Sequence, residues 1–175
     1  MTLLWTTPRE WKANDAITKE RLNDISNNLT YLYSPSRGIA TVRNGTNQTT
    51  ASTTPVDLDA SNFGMSVELS GLRDVYVELK GLVSNATLAA VSRFDVYMDA
   101  TTYLSSLTGT QLTLGLASVT QYVASHLILV NLRYVIPRGV LAAGVHTFQP
   151  RWWVSAGTST WYEATAISQF EVGEI

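Results

Sequence analysis

The stretch MSVELSGLRDVYVELK, residues 65–80, decides the class of fold. Met65, Val67 and Leu69 alternate with Ser66, Glu68 and Ser70. After a break at Gly71–Asp74, Val75, Val77 and Leu79 alternate with Tyr76, Glu78 and Lys80. Successive side chains of a strand point to opposite faces of a sheet, so each run has one apolar face for a core and one polar face for water. The pattern continues downstream. Phe94, Val96 and Met98 alternate with Asp95, Tyr97 and Asp99, and Gln111–Leu116 alternates too. His126–Ile136 is the longest apolar run and reads as a central strand, turned by Pro137-Arg138-Gly139. Val145–Val154 and Thr160–Ala164 flank Ser155-Ala156-Gly157-Thr158, which has hairpin chemistry, and Ile167–Val172 closes the chain. Upstream, Gly38–Arg43 reads as a first short strand, and Asn44-Gly45 after it carries a hairpin signal. Nine or ten short strands with no βα alternation predict an antiparallel β-sandwich, jelly-roll-like.

Before this β-rich part the period changes. In ITKERLNDISNNLTYL, residues 17–32, Leu22, Ile25, Leu29 and Leu32 recur at helical spacing and share one face. Thr18 stands where an N-cap belongs, Ile17 and Leu22 have the spacing of a hydrophobic staple, and Pro35 ends the run. The other face is polar. The sequence therefore predicts a leader with one helix near 18–33, residues 1–36, and a sandwich domain, residues 37–175. Trp5 and Trp11 sit in a leader too short for a core, so they read as anchors against a partner or another subunit, the alternative being that they fold back on the β-domain. Leu22, Ile25, Leu29 and Leu32 form an a/d-like seam with the same implication.

Composition narrows the function. Hydrophobic residues make up 45% and charged residues 15%, enough apolar side chain for a proper core. The net charge of −2 without a Lys/Arg cluster argues against nucleic acid. No run of 18 apolar residues exists, so no membrane insertion is expected, and no secretory signal is read at the start. The absence of cysteine excludes disulfides and thiolate metal sites. His126 and His146 fall in predicted strands without a metal-ligand motif. Asp57 with Asp59, and Asp95 with Asp99, read as a solvated face or turn rather than a calcium loop. No nucleophile motif or phosphate loop occurs. The expectation is no catalytic residues, no metal and no cofactor.

The C-terminal aromatics carry more information. In an alternating strand Trp152 and Trp153 face opposite ways, as do Trp161 and Tyr162, so one of each pair is expected outside. Trp153, Trp161 and Tyr162 are therefore candidates for a subunit interface or, as the alternative, for stacking on sugar rings.

Two stretches also resemble a known family. TTPREWKANDAITKERLNDISNNLTYLYSP, residues 6–35, resembles the leader of tailed-phage virion proteins through Trp11, Thr18, Leu22, Asn23, Asn28, Leu29 and Leu32. GVLAAGVHTFQPRWWVSAGTSTWYEATAISQFEVGEI, residues 139–175, resembles their closing strands through Gly144, His146, Thr147, Phe148, Trp152, Gly157, Thr158, Phe170, Val172, Glu174 and Ile175. The resemblance covers the two ends. Asn14-Asp15 replaces a Gly-Glu pair common in that leader, which implies a different docking partner. What the resemblance implies is a non-enzymatic virion structural protein, made in the host cytoplasm, of tail-fibre or capsid-decoration type. It implies a homotrimer that binds other virion proteins through its N-terminal segment. The alternative is a tail module that binds host-surface glycan or another receptor.

Overall fold

The computed structural model describes residues 18–33, 35–43, 45–107 and 115–175, with Asn27 and residues 30–33 by backbone alone. Trp5, Trp11, the side chain of Leu32 and most of the run Gln111–Leu116 lie outside the described residues. The chain divides into two compact units, Met1–Pro35 and Ser36–Ile175.

The described part of the first unit is one helix, α1, Lys19–Tyr33. Its start follows from Thr18, whose Oγ1 accepts the Arg21 N–H at 3.3 Å while its carbonyl accepts the Leu22 N–H at 3.1 Å. That is the capping geometry read from the sequence. Leu22, Ile25 and Leu29 are exposed along it.

The second unit is a sandwich of two antiparallel sheets with six strands each among the described residues. One sheet is organised on β5, Val75–Asn85. Its first edge pairs with β9, Ile128–Ile136, over nearly its whole length. Its second edge is shared by two collinear strands, β12, Ser168–Glu174, and β11, Ser159–Tyr162. Outside these lie β1, Arg37–Val42, against β12, and β2, Gln48–Thr50, against β11. The other sheet is organised on β6, Val91–Met98, and β10, Gly144–Val154. The free edge of β10 takes β4, Met65–Leu69, and β3, Val56–Asp57. That of β6 takes β7, Thr102–Tyr103, and β8, Ala117–Thr120. The antiparallel sandwich is the fold that the alternation predicts.

Several details depart from the sequence expectation. Among the described residues β9 is an edge strand, not a central one. Only alternate residues of it are buried (Val130, Leu132, Ile136), while Leu129, Asn131, Arg133 and Val135 face out. His126 precedes β9 in a turn, with its N–H on the Val123 carbonyl. The hairpin expected at Asn44-Gly45 would pair β1 with β2, but these strands pair with β12 and β11 instead, and Asn44 itself lies outside the described residues. β1 and β2 run in the same direction along one line, and Gly45–Asn47 before β2 lies against the break 163–167 between β11 and β12, where Gly45 N–H meets the Glu163 carbonyl at 3.1 Å. Two single helical turns, α2, Ala60–Phe63, and α3, Leu104–Leu107, interrupt the β-structure. Four-residue turns carry no readable period.

The inner faces form one apolar cluster. Phe94 of β6 lies between Trp152 of β10, at 6.4 Å between ring centroids, and Trp161 of β11, at 5.6 Å. Trp161 thereby bridges the two sheets. Its ring occupies the space over Gly81, where a Cβ would come within 2.2 Å of Cζ2. Phe63 of α2 packs edge-on against Phe170 of β12.

Candidate functional site

The outer face of the β5 sheet carries a charged groove of about 530 Å³, lined by Arg37, Tyr76, Glu78, Lys80, Arg133 and Glu171 among others. Alternation puts them there, because Tyr76, Glu78 and Lys80 are the out-facing residues of β5. Register sets Glu78 between Glu171 and Arg133 on the neighbouring strands. The charges are mutually satisfied. Arg37 Nε reaches Glu171 Oε1 at 2.7 Å, Tyr76 O–H donates to the same oxygen, and Gln169 Nε2 donates to Oε2 at 2.9 Å. Glu78 pairs with Lys80 and lies 3.8 Å from Arg133, whose guanidinium sits 5.3 Å above the Tyr76 ring. Burial pushes the Glu171 carboxyl up, but the bonds from Arg37 and Tyr76 outweigh it and hold it below the usual range. Such a carboxylate stays ionised and accepts hydrogen bonds, so it is no general acid.

The outer face of the β10 sheet holds a second cluster. Arg151 lies 4.2 Å from the Tyr97 ring centroid, donates through Nη1 to Tyr103 O–H at 3.0 Å, and pairs with Asp57 at 2.8 Å. Tyr97 and Tyr103 lean together at 4.6 Å. These half-exposed tyrosines were not singled out from sequence. Tyr97 did show as the out-facing aromatic of an alternating run, and that was the available signal.

Each acid of the sequence pairs has its own surroundings, and no pair is jointly solvated. Asp95 is buried, and its Oδ1 accepts the Val96 and Ser105 N–H groups, which ties α3 to β6. Asp57 meets Arg151, whereas Asp59 is buried in a left-handed turn. Asp99, also at positive φ, holds His146 Nδ1 at 2.7 Å and the Thr147 N–H at 2.8 Å, while His146 Nε2 lies 3.0 Å from the Ala142 carbonyl oxygen. Both ring nitrogens thus face acceptors, which the imidazolium satisfies best. Burial pulls the His146 pKa down, but Asp99 and the Ala142 carbonyl raise it above the ordinary 6.5. The contribution to stability is full below about pH 6.5 and is lost as pH rises through the raised pKa. Urea midpoints taken from about pH 5.5 to 9 are expected to show this loss, about 1 kcal/mol or less given the exposure of Asp99. His146→Gln is expected to remove it, and an unchanged pH profile in that variant would refute the assignment.

The C-terminal aromatics divide unevenly. Trp161 points inward and Tyr162 is half-exposed, with its hydroxyl 3.1 Å from Ser84 Oγ. Trp152 and Trp153 are both buried, at 1% and 2% exposure, against the expectation that one lies outside. Trp153 does face outward from β10, but the segment at Gly115 lies over it, and a Cβ there would sit 2.9 Å from its ring. Of the three candidate interface or ligand aromatics, only Tyr162 offers surface within this chain. Among the described residues no group of three or more His, Cys, Asp or Glu side chains is arranged to hold a metal.

A further carboxylate was not singled out from sequence. Glu163 follows β11 in the strand break and is fully buried, with neither carboxylate oxygen hydrogen-bonded. Burial, reinforced by the Asp59 carboxylate and partly offset by the Gln48 amide, pushes its pKa up to about 7.

No protein-family model and no curated protein matches the chain. Solved structures do share its fold. The structure of the Gx strain of infectious bursal disease virus aligns over 80% of this chain at 10% identity and a TM-score of 0.50. The T=1 particles derived from that virus align over 80% at 11% identity and a TM-score of 0.48. The Eiger TNF of S. frugiperda aligns over 81% at 12% identity and a TM-score of 0.41, and 94% of its own length is covered. The chain spans about a third of the length of the two virus chains, covering 32% and 31% of them. At these identities the likeness is one of fold, a jelly-roll-like sandwich of the kind also found in a virus particle.

Proposed function

We propose that this chain is a non-enzymatic structural protein of a tailed-phage virion. In this reading it is a homotrimer held to other virion proteins through residues 1–36, and it displays its sandwich in a tail-fibre or capsid-decoration role. The observation that carries the reading is the seam of α1. Leu22, Ile25 and Leu29 are 54%, 43% and 48% exposed on a helix whose positions between them are polar. An apolar stripe of that kind is built to meet a partner. The resemblance of both chain ends to virion proteins supplies the class of partner, and the jelly-roll-like sandwich agrees with a particle component. Burying the four seam side chains contributes on the order of 6–12 kcal/mol before ordering entropy is subtracted. That is enough to dock a helix but marginal for holding a trimer across two heptads, so the sandwich faces supply the rest of the trimer contact.

Removing residues 1–34 tests both halves. The full chain is expected to sediment as a trimer at tens of micromolar. The shortened chain is expected to stay folded and trimeric, because Ser36 and its bonds to Glu174 remain, and to lose binding to particles that lack the protein. A full-length monomer at that concentration defeats the trimer, and particle binding by the shortened chain defeats the attachment.

A further inference from the structure

A buried carboxylate with no hydrogen bond demands an explanation, because an unpaired charge away from water is among the costliest features a fold can hold. Glu163 is 0% exposed, and neither of its oxygens has a hydrogen-bond partner. It does not face an apolar wall. The Asp59 carboxylate is its electrostatic neighbour, and the Gln48 amide stands beside it. Asp59 is itself buried, in a turn at φ 44°, and is oriented through Oδ2 by Asn62 Nδ2 at 2.6 Å. Two like charges are thus turned toward each other by backbone that is itself well bonded. The N–H groups of Glu163 and Ala164 both sit on Asn47 Oδ1 at 3.0 Å, and the Phe63 N–H sits on the Asp59 carbonyl at 2.9 Å.

Gly45 is a second observation at the same place. It is not among the glycines with positive φ, so its backbone does not require glycine. It requires room. A Cβ at Gly45 would lie 2.6 Å from Val42 Cγ1 and 3.1 Å from Glu163 Oε2. The glycine lets the backbone pack directly against Val42 and the Glu163 side chain.

We propose that Glu163 and Asp59 form a binding site for one divalent hard cation of the calcium type. All the donors are oxygens, which suits a hard cation and not a thiolate- or imidazole-seeking metal. Two carboxylates balance a divalent charge. Two acids leave coordination positions for backbone oxygens and water, which suits the large, flexible calcium shell better than the strict octahedron of magnesium. The site links the turn between β3 and α2 to the break between β11 and β12, so an ion there would fasten that turn to the β5 sheet.

The test uses full-length protein treated with chelator at about pH 8, where the pair is most strongly charged. Added calcium chloride is expected to raise Tm by about 5–10 °C at a hundredfold excess over Kd, and calorimetric titration is expected to give one site per chain. Sodium chloride at equal ionic strength is expected to leave Tm in place. Glu163→Gln is expected to lose the calcium shift, and Asp59→Asn serves in its place if the first variant does not fold. No shift and no heat with calcium, an equal shift with sodium chloride, or a full shift retained in the variant would each overturn the site and leave a shared proton as the explanation of the pair.

Discussion

Trp161→Ala is expected to destabilise the β-unit by about 3–5 kcal/mol, measured as a fall in the urea midpoint at constant slope. Trp161 is fully buried, bridges from one sheet to Phe94 of the other, and fills the space that Gly81 leaves empty. Neither neighbour can move in to fill the hole. Gly81 has no side chain, and Phe94 is held against Trp152. The cost therefore falls at the upper end of the range for large-to-small changes. The indole nitrogen has no hydrogen-bond partner, so Trp161→Phe removes area without breaking a bond and is expected to cost clearly less. A loss of under about 1 kcal/mol for the alanine variant would mean that the two sheets do not depend on this bridge.

Glu163→Gln is expected to stabilise the cation-free protein above neutral pH, by up to about 3 kcal/mol near pH 8. The folded pKa of about 7 lies above the ordinary 4.5, so the folded state holds the proton more tightly than the unfolded chain does. The stability that comes with the proton is complete below about pH 4.5 and is lost as pH rises through 7. Glutamine keeps the shape and can donate to Asp59 without titrating. In a chelator-containing buffer the native curve is expected to fall between about pH 4.5 and 8 while the variant's stays flatter, the two meeting at the acid end. Parallel curves would show that Glu163 is not the titrating group. Added calcium would oppose the difference by stabilising the native protein alone, so the two effects can be told apart.

What could be read from the sequence, and what could not, follows the range of the forces involved. Period-two alternation is a local consequence of strand geometry, so β4, β5, β6 and β10 were legible in Met65–Leu69, Val75–Leu79, Phe94–Met98 and Val145–Val154. The Thr18 cap was equally local, involving atoms three residues apart. The partner of each strand was not legible. β9 was expected at the centre because it is the most apolar run, yet it lies at an edge, since sheet position depends on which strands close on β5 from far along the chain. The Asn44-Gly45 signal failed for the same reason. A turn propensity acts only where the two flanking strands pair with each other, and β1 and β2 pair with β12 and β11 instead.

The sequence by itself determined the antiparallel sandwich, the helix ahead of it and the apolar seam on that helix, because each is written in the spacing of neighbouring residues. Only the tertiary structure decided which aromatics are covered and which acids meet. Trp153 alternates outward and is buried because the segment at Gly115 folds over it. Glu163 and Asp59 are separated by most of the chain and meet because the turn that caps α2 comes up to the residue after β11. Alternation sets the direction of a side chain, but its burial and its charge state depend on chain that arrives from elsewhere.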